Sequence, residues 1–258
     1  YRQAAVPVPV ASPEALLETL WAAVTPRTRV LFLSHITSPT ALVLPVAEIC
    51  RRAREAGILT LIDGAHAPAH VDLDLAALGA DFYTGNFHKW ACAPKGSAFL
   101  YARPEAQALL DPLVISWGWE PEIPGPSPFI DQIEFWGTRD VTPFLSVPAA
   151  LDFQAERHWP AVRERCRRLV RAAREALLAL PGVEALQAPH PELLGQMVAV
   201  ALPAGTDVLD LKTRLYDRHR VELPLYLWQE RPLLRVSIQG YNGEDDLAAL
   251  LAALRAEL

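Results

Sequence analysis

A short apolar run ending in an acid constrains this chain most. Ile58-Leu59-Thr60-Leu61-Ile62 leads directly into Asp63-Gly64-Ala65-His66. Apolar and β-branched residues without a polar alternation read as a buried strand of a parallel sheet, here delivering its acid to the carboxyl end. A second segment, Asp81-Phe82-Tyr83-Thr84-Gly85-Asn86-Phe87-His88-Lys89-Trp90, ends in His-Lys, with Lys89 26 residues after Asp63. Open α/β sheets bind ligands outside the carboxyl ends of their strands. Asp63 and Lys89 are therefore expected to meet at one site.

A carboxylate near a lysine, with the imidazoles of His66 and His88 close by, is the set of groups that pyridoxal phosphate chemistry requires. The lysine forms a Schiff base and the acid pairs with the pyridinium nitrogen. Plainer roles stand beside this. Asp63 before Gly64 suits a turn or a helix cap, and a lone lysine suits a solvated surface. The chain, however, has only three lysines, Lys89, Lys95 and Lys212, among 24 basic residues. Arginine carries the surface charge, and arginine cannot give up the proton that Schiff-base formation requires.

The remaining composition excludes more than it assigns. With 258 residues, about half of them hydrophobic, the chain is long enough for one large domain or two modest ones. A net charge of −6 speaks against nucleic acid. The arginine-rich stretch from Arg163 to Arg174, interleaved with Glu164, reads as a solvated helix face. Cys50, Cys92 and Cys166 are scattered, without metal-ligand spacing, and their odd number argues against a disulfide framework. A reducing, cytoplasmic setting and no metal are expected. No apolar run reaches the length of a membrane span. The chain opens on Tyr1-Arg2-Gln3 and runs into Val6-Pro7-Val8-Pro9-Val10, a strand or extended segment that looks joined in mid-fold, as in a piece of something longer.

Ser12-Pro13-Glu14 starts a helix running to about Ala23, with serine at the cap and proline in the first turn. Arg29–His35 reads as a buried strand, Pro45–Glu55 as an amphipathic helix ended by Gly57, Leu73–Leu78 as a helical turn, and Ala80–Thr84 as a strand. Gly96–Tyr101 forms a further strand, open to an antiparallel course. This rhythm implies βαβ units on a parallel sheet. Pro112–Pro128 has no period and reads as a long loop. Helices follow over 143–157 and 160–180, broken near His158-Trp159-Pro160. Strands are expected over 197–202 and 233–238, a helix over 208–218 and a terminal helix over 244–258. The domain boundary falls near residues 140–160.

Assembled in order, the motifs are Ser34-His35-Ile36-Thr37-Ser38-Pro39-Thr40, Asp63-Gly64-Ala65-His66-Ala67, Asn86-Phe87-His88-Lys89, Gly137-Thr138-Arg139-Asp140 and Leu234-Arg235-Val236-Ser237-Ile238-Gln239-Gly240-Tyr241-Asn242. A chain carrying them resembles the class V aminotransferase family of pyridoxal-phosphate enzymes of fold type I, and within it the isopenicillin N epimerase-like group. The resemblance implies an α/β fold: the mostly parallel sheet of a transferase large domain over 1–145, incomplete at its N-terminus, and a smaller α+β domain over 146–258. It implies pyridoxal 5'-phosphate as cofactor, an amino-acid substrate and a homodimer.

The resemblance also implies roles. Lys89 is the Schiff-base lysine and moves the proton at the substrate α-carbon. Asp63 keeps the pyridine nitrogen protonated, and His66 lies near the phenolic oxygen. Asn86 and His88 fall where the family places phosphate ligands, although the family often has serine at the position of Asn86. Thr138 reaches the phosphate of the neighbouring subunit, and Arg235 grips the α-carboxylate. His35 and Thr40, at a strand end, are candidate substrate-side residues. Each also has a structural alternative: core imidazoles for His66 and His88, an ion pair for Arg235, a turn for Thr138. Desulfurases of this class carry a nucleophilic cysteine before the arginine strand. Val221–Gln229 has none, which disfavours persulfide chemistry. Epimerisation, amino-group transfer and β- or γ-elimination share one carbanion and are not separated by the motifs, and the Thr37–Thr40 and Gly137–Asp140 resemblance points to an epimerase-like enzyme. Family members carry an N-terminal segment, with a phosphate-binding turn and a ring-stacking aromatic residue, before the point where this chain starts. The alternative expectation is therefore a catalytically incomplete fragment, or a partner subunit that needs a separate N-terminal chain.

Overall fold

A computed structural model describes residues 1–258. Helix α1 (Pro13–Trp21) starts where Ser12 accepts a hydrogen bond from the Ala15 N–H. Strand β1 (Val30–Ser34) is followed by helix α2 (Val46–Glu55), and Gly57 (φ +66°) turns the chain into β2 (Leu59–Gly64). The one-turn helix α3 (Leu75–Leu78) leads to β3 (Phe82–Asn86) and β4 (Ala98–Ala102). These four strands form one sheet in sequence order, with β1, β2 and β3 parallel and β4 antiparallel. The register aligns Ser34 with Asp63, Asp63 with Thr84, and Gly64 with Gly85. The acid thus sits at the carboxyl rim, as a parallel strand of this pattern should place it.

The opposite rim is held by a different acid. Asp81, just before β3, is buried and accepts hydrogen bonds from the Thr60 N–H (2.8 Å) and hydroxyl (3.1 Å). Arg103, just after β4, donates to it from Nε (3.1 Å) and Nη2 (2.5 Å). Burial works to raise the Asp81 pKa, but Arg103 and Thr60 outweigh it and hold the carboxyl below its usual range. Helix α2 packs its apolar face, Val46, Ile49, Cys50 and Ala53, over this sheet.

A 3₁₀ turn over Pro104–Leu109 and a long irregular segment precede the helices α4 (Pro128–Glu134), α5 (Thr142–Leu145), α6 (Val147–Glu156) and α7 (Trp159–Leu178). The second sheet is antiparallel, in the order β5 (Glu184–Ala185), β6 (Met197–Ala201), β8 (Arg231–Ser237), β7 (Leu225–Trp228). Helices α7, α8 (Val208–His219) and α9 (Glu244–Glu257) enclose the larger core on it. Each fully buried leucine there, such as Leu211, Leu215, Leu234 and Leu254, contributes about 1.5–3 kcal/mol by leaving water. A third cluster joins the sheets, with Ile36, Ala41 and Trp90 packed on Leu186, Met197, Ala199 and Leu233.

Four expectations change. Strand β1 is not buried, since Val30 is 51% and Phe32 67% exposed; it is an edge strand with one face uncovered. The segment Val6–Val10 forms no strand beyond a single bridge from Val10 to Gln187. The unpatterned loop is followed by a helix, α4, capped by the Ser127 hydroxyl on the Ile130 N–H, a cap-and-proline start like that of α1. Strand β7 has no counterpart in the sequence pattern, because Leu225–Trp228 has no alternation and is ordered by pairing with β8.

Candidate active site

The carboxyl rim of the first sheet turns its residues inward through two paired glycines. A Cβ on Gly64 would come within 2.1 Å of the Tyr83 ring, and one on Gly85 within 2.4 Å of the Phe99 ring. Their absence lets both rings close over the strand ends. Asp63, half-buried, accepts the Ala65 N–H at Oδ1 (2.9 Å), and its Oδ2 has no partner in the chain. Lys89 lies on a short loop that the Phe87 N–H closes on the Ser97 carbonyl (3.1 Å) and the Ala93 N–H on the Phe87 carbonyl (3.0 Å). This loop brings the Lys89 Nζ to 3.5 Å from His66 Nε2.

The electrostatics follow from this packing. Burial lowers the Lys89 pKa; Asp63 opposes the shift and Arg235 adds to it. Burial, then the charges of Lys89 and Arg235, hold His66 at about 4. The four groups Asp63, His66, Lys89 and Arg235 therefore share one field. Arg235, on β8, donates from Nη1 to the Ser38 carbonyl (2.8 Å) and hydroxyl (2.9 Å), and its guanidinium lies 5.6 Å from the Tyr226 ring centroid. Its Nε is buried without a partner. No carboxylate of the chain pairs with it, so the ion pair that was its structural alternative is not formed.

The other expected residues divide. His88 directs Nδ1 to the Ser97 carbonyl (3.3 Å), leaving Nε2 free, and the Asn86 amide makes no side-chain hydrogen bond in the chain. Both stand at the end of β3 beside Lys89. His35 does not open to the cleft. It is 7% exposed, bonds Tyr83 Oη through Nδ1 (2.8 Å), and is held at about 4 by burial. Thr40 is buried and bonded to the Thr37 hydroxyl (2.7 Å), on the wall of a cavity of about 520 Å³ shared with Ser38 and Trp228. Thr138 is exposed, next to Gly137 (φ +108°), and its side chain makes no hydrogen bond; nothing in one chain brings it to Lys89.

Sequence reasoning passes over Ser38 and Trp90. Ser38 lies within the first of the five motifs, but its pairing with Arg235 spans the two sheets and leaves no trace in local pattern. Trp90 follows Lys89 directly and reads as an apolar neighbour, yet its indole N–H bonds His66 Nδ1 (3.2 Å).

The sequence profile of the aminotransferase class-V family matches residues 6–250. The chain belongs to this family. It is 43% identical over 256 residues to the isopenicillin N epimerase of Amycolatopsis lactamdurans, covering 96% of this chain and 64% of that protein. It is 32% identical to a probable chloroplastic L-cysteine desulfhydrase of Arabidopsis thaliana, over 88% of this chain and 50% of the relative. Among solved structures, the cysteine desulfurase CsdA of Escherichia coli superposes with a TM-score of 0.79 at 24% identity, over 93% of this chain and 62% of that one. The chain thus spans less than two thirds of the length of each of these proteins. The shared fold is the α/β architecture of the class-V enzymes.

Proposed function

We propose that the chain is the catalytic part of a pyridoxal-phosphate enzyme acting at the α-carbon of an amino acid, by epimerisation or amino-group transfer. The observation that carries this reading is the Lys89 amine, depressed in pKa and set beside neutral His66 and a carboxylate with one free oxygen. These groups fit the cofactor: an amine able to be neutral, an acceptor for a protonated ring nitrogen, and an imidazole near the phenolic oxygen. Bound there, the cofactor supplies an electron sink for the bond broken at the α-carbon.

Lys89 would hold the cofactor covalently and move the proton at the α-carbon. Asp63 Oδ2 would accept from the protonated ring nitrogen. His88 Nε2 and the Asn86 amide, both free for a new partner, would hold the cofactor's phosphate. Arg235, already turned across the sheets by Ser38, takes the substrate carboxylate. Thr40 and His35 support the substrate side, His35 through Tyr83 rather than by contact. The epimerase relative and the lack of cysteine in Val221–Gln229 favour epimerisation over sulfur transfer.

Further parts of this reading concern assembly. Thr138 serves the phosphate of a second copy in a homodimer. Large exposed apolar side chains across the surrounding segment, Ile115, Trp117 (85%), Ile123 (89%) and Trp136, support such self-association. The domains divide at 145/146. The enzyme is cytoplasmic; its three cysteines are unpaired, and no helix is long and apolar enough to cross a membrane. A second reading has one observation behind it. The uncovered face and edge of β1 suit further polypeptide, which would complete the site.

An absorbance spectrum with added pyridoxal phosphate tests both readings. A visible Schiff-base band, lost in Lys89→Ala, is expected. No band in either protein would remove the first reading for the isolated chain and favour the second. An amino-acid panel with transfer to a keto acid but no loss of α-carbon stereochemistry would remove epimerisation.

A further inference from the structure

Three rings below the lysine are held in a fixed pattern of protons. The Trp90 indole N–H is a donor only, and it points at His66 Nδ1 from 3.2 Å. Nδ1 is therefore the acceptor. At neutral pH the His66 ring carries a single proton, which must then sit on Nε2, the atom 3.5 Å from Lys89 Nζ. We propose that Trp90 is a positioning residue that locks His66 as its Nε2–H tautomer, so that the imidazole presents a donor to the Lys89 amine.

The consequence deepens the cofactor reading and rests on it. An ammonium has three donors and no acceptor, so a charged Lys89 would face an N–H with nothing to offer it. A neutral amine has a lone pair that accepts. The locked tautomer thus favours the nucleophilic form of Lys89. It acts with burial and the Arg235 charge and against Asp63, the other groups facing this amine. An unlocked His66 could exchange its Nε2 proton with solvent for one on Nδ1 and so offer Nε2 to an ammonium, stabilising the unreactive form.

Trp90 is built to hold this orientation. It is 6% exposed, within the cluster that joins the two sheets. Its carbonyl accepts from the amides of both Gln154 on α6 and Gln239 after β8, each at 3.1 Å. Its indole lies against the His70 ring, with centroids 4.2 Å apart and planes tilted by 48°. His70 is itself fixed. Its Nδ1–H donates to the His66 carbonyl (3.0 Å), and its Nε2 accepts the Gln196 N–H. A Cβ on Gly195 would approach that Nε2 to 2.2 Å, so the ring fits there because residue 195 is glycine. The two histidines are therefore opposite tautomers, Nε2–H for His66 at the N–H of the indole and Nδ1–H for His70 against its ring.

Long-range ¹H–¹⁵N correlation of the imidazoles, on the full chain without added cofactor at pH 7.5, reads this directly. His66 and His70 are assigned by His66→Gln and His70→Gln. The expected wild-type result is opposite tautomers as stated. In Trp90→Phe, His66 becomes a mixture of tautomers. Trace acetylation with acetic anhydride supplies the second readout, with Lys95 and Lys212 as internal references. Lys89 labelling falls about three- to tenfold in Trp90→Phe, as for an amine whose pKa rises by about half to one unit. A wild-type His66 protonated on Nδ1, or mixed, overturns the proposal without any variant. So does a Trp90→Phe protein whose His66 tautomer and Lys89 labelling are unchanged. Neither readout uses the cofactor, so a chain that fails to bind pyridoxal phosphate still reports on the lock, and a failed lock leaves cofactor binding to be scored separately.

Discussion

Gly64→Ala should destabilise the chain although the backbone there accepts alanine. The obstacle is Tyr83, whose Cε1, Cζ and Oη would lie 2.1, 2.2 and 2.2 Å from the new methyl. Tyr83 has no room to yield. It is fully buried, stacks on Phe99 and bonds His35. Overpacking of this kind costs about 1–3 kcal/mol. If the ring moves, the His35 bond is lost for about another 1 kcal/mol. A total of roughly 2–4 kcal/mol follows from these two effects. In a Tyr83→Ala background the obstacle is gone. There, Gly64→Ala should be neutral or stabilise by about 0.4–1 kcal/mol, through the smaller entropy of the unfolded chain. Urea titrations of the four proteins, followed by far-ultraviolet circular dichroism, give the coupling energy. A Gly64→Ala chain as stable as wild type would refute the reasoning. Equal penalties in both backgrounds would do the same, by showing that Tyr83 is not the cause.

Other consequences can be measured on the same protein. Arg103→Ala should cost about 3 kcal/mol by leaving Asp81 buried and unpaired, read as a lower urea midpoint. The folded Asp81 pKa lies below its unfolded value of about 3.9, so its contribution is complete above that pH and fades as pH falls through the depressed value. Arg103→Ala should flatten the wild-type loss of stability in that acid window. His70, His35 and His66 are held neutral by burial, at about 3, about 4 and about 4. The unfolded chain takes up protons on all three below about pH 6.5, so stability should climb from pH 4 to 6.5 by up to about 4 kcal/mol per pH unit; His35→Gln should remove about a third of that slope. Ser38→Ala, which unpins Arg235, should raise KM for an amino-acid substrate about three- to tenfold with kcat nearly unchanged, as for a lost binding interaction of roughly 1 kcal/mol.

Much of the first sheet was legible because its signals are local. The run into Asp63, Gly57 after α2 and the Ser12-Pro13 cap each fix one element from adjacent residues. Asp63, His66 and Lys89 were legible as a group because strand order in a parallel sheet places carboxyl ends together. What escaped depends on contacts distant in sequence. Ser38 meets Arg235 across 197 positions and Gln239 meets the Trp90 carbonyl across 149. The exposure of Phe32 escaped for another reason: an apolar strand reads the same whether or not something covers it. His35 was placed at the right strand end, but the direction of its ring depends on Tyr83, which the pattern showed only as one more apolar strand residue.

The two acids of the first sheet serve opposite ends of one short strand, Asp63 as a residue of β2 and Asp81 by its bonds to Thr60 of β2. Thr60, which anchors Asp81, and Asp63 are three residues apart, roughly 10 Å along β2 at about 3.3 Å per residue. That is about the separation beyond which substitutions act independently. Work on the one rim is therefore insulated from work on the other. A chain fortified around Thr60, Asp81 and Arg103 gains tolerance for changes at Asp63, His66 and Lys89 that it could not otherwise survive. The fold offers an engineer two separate dials, one for durability and one for chemistry.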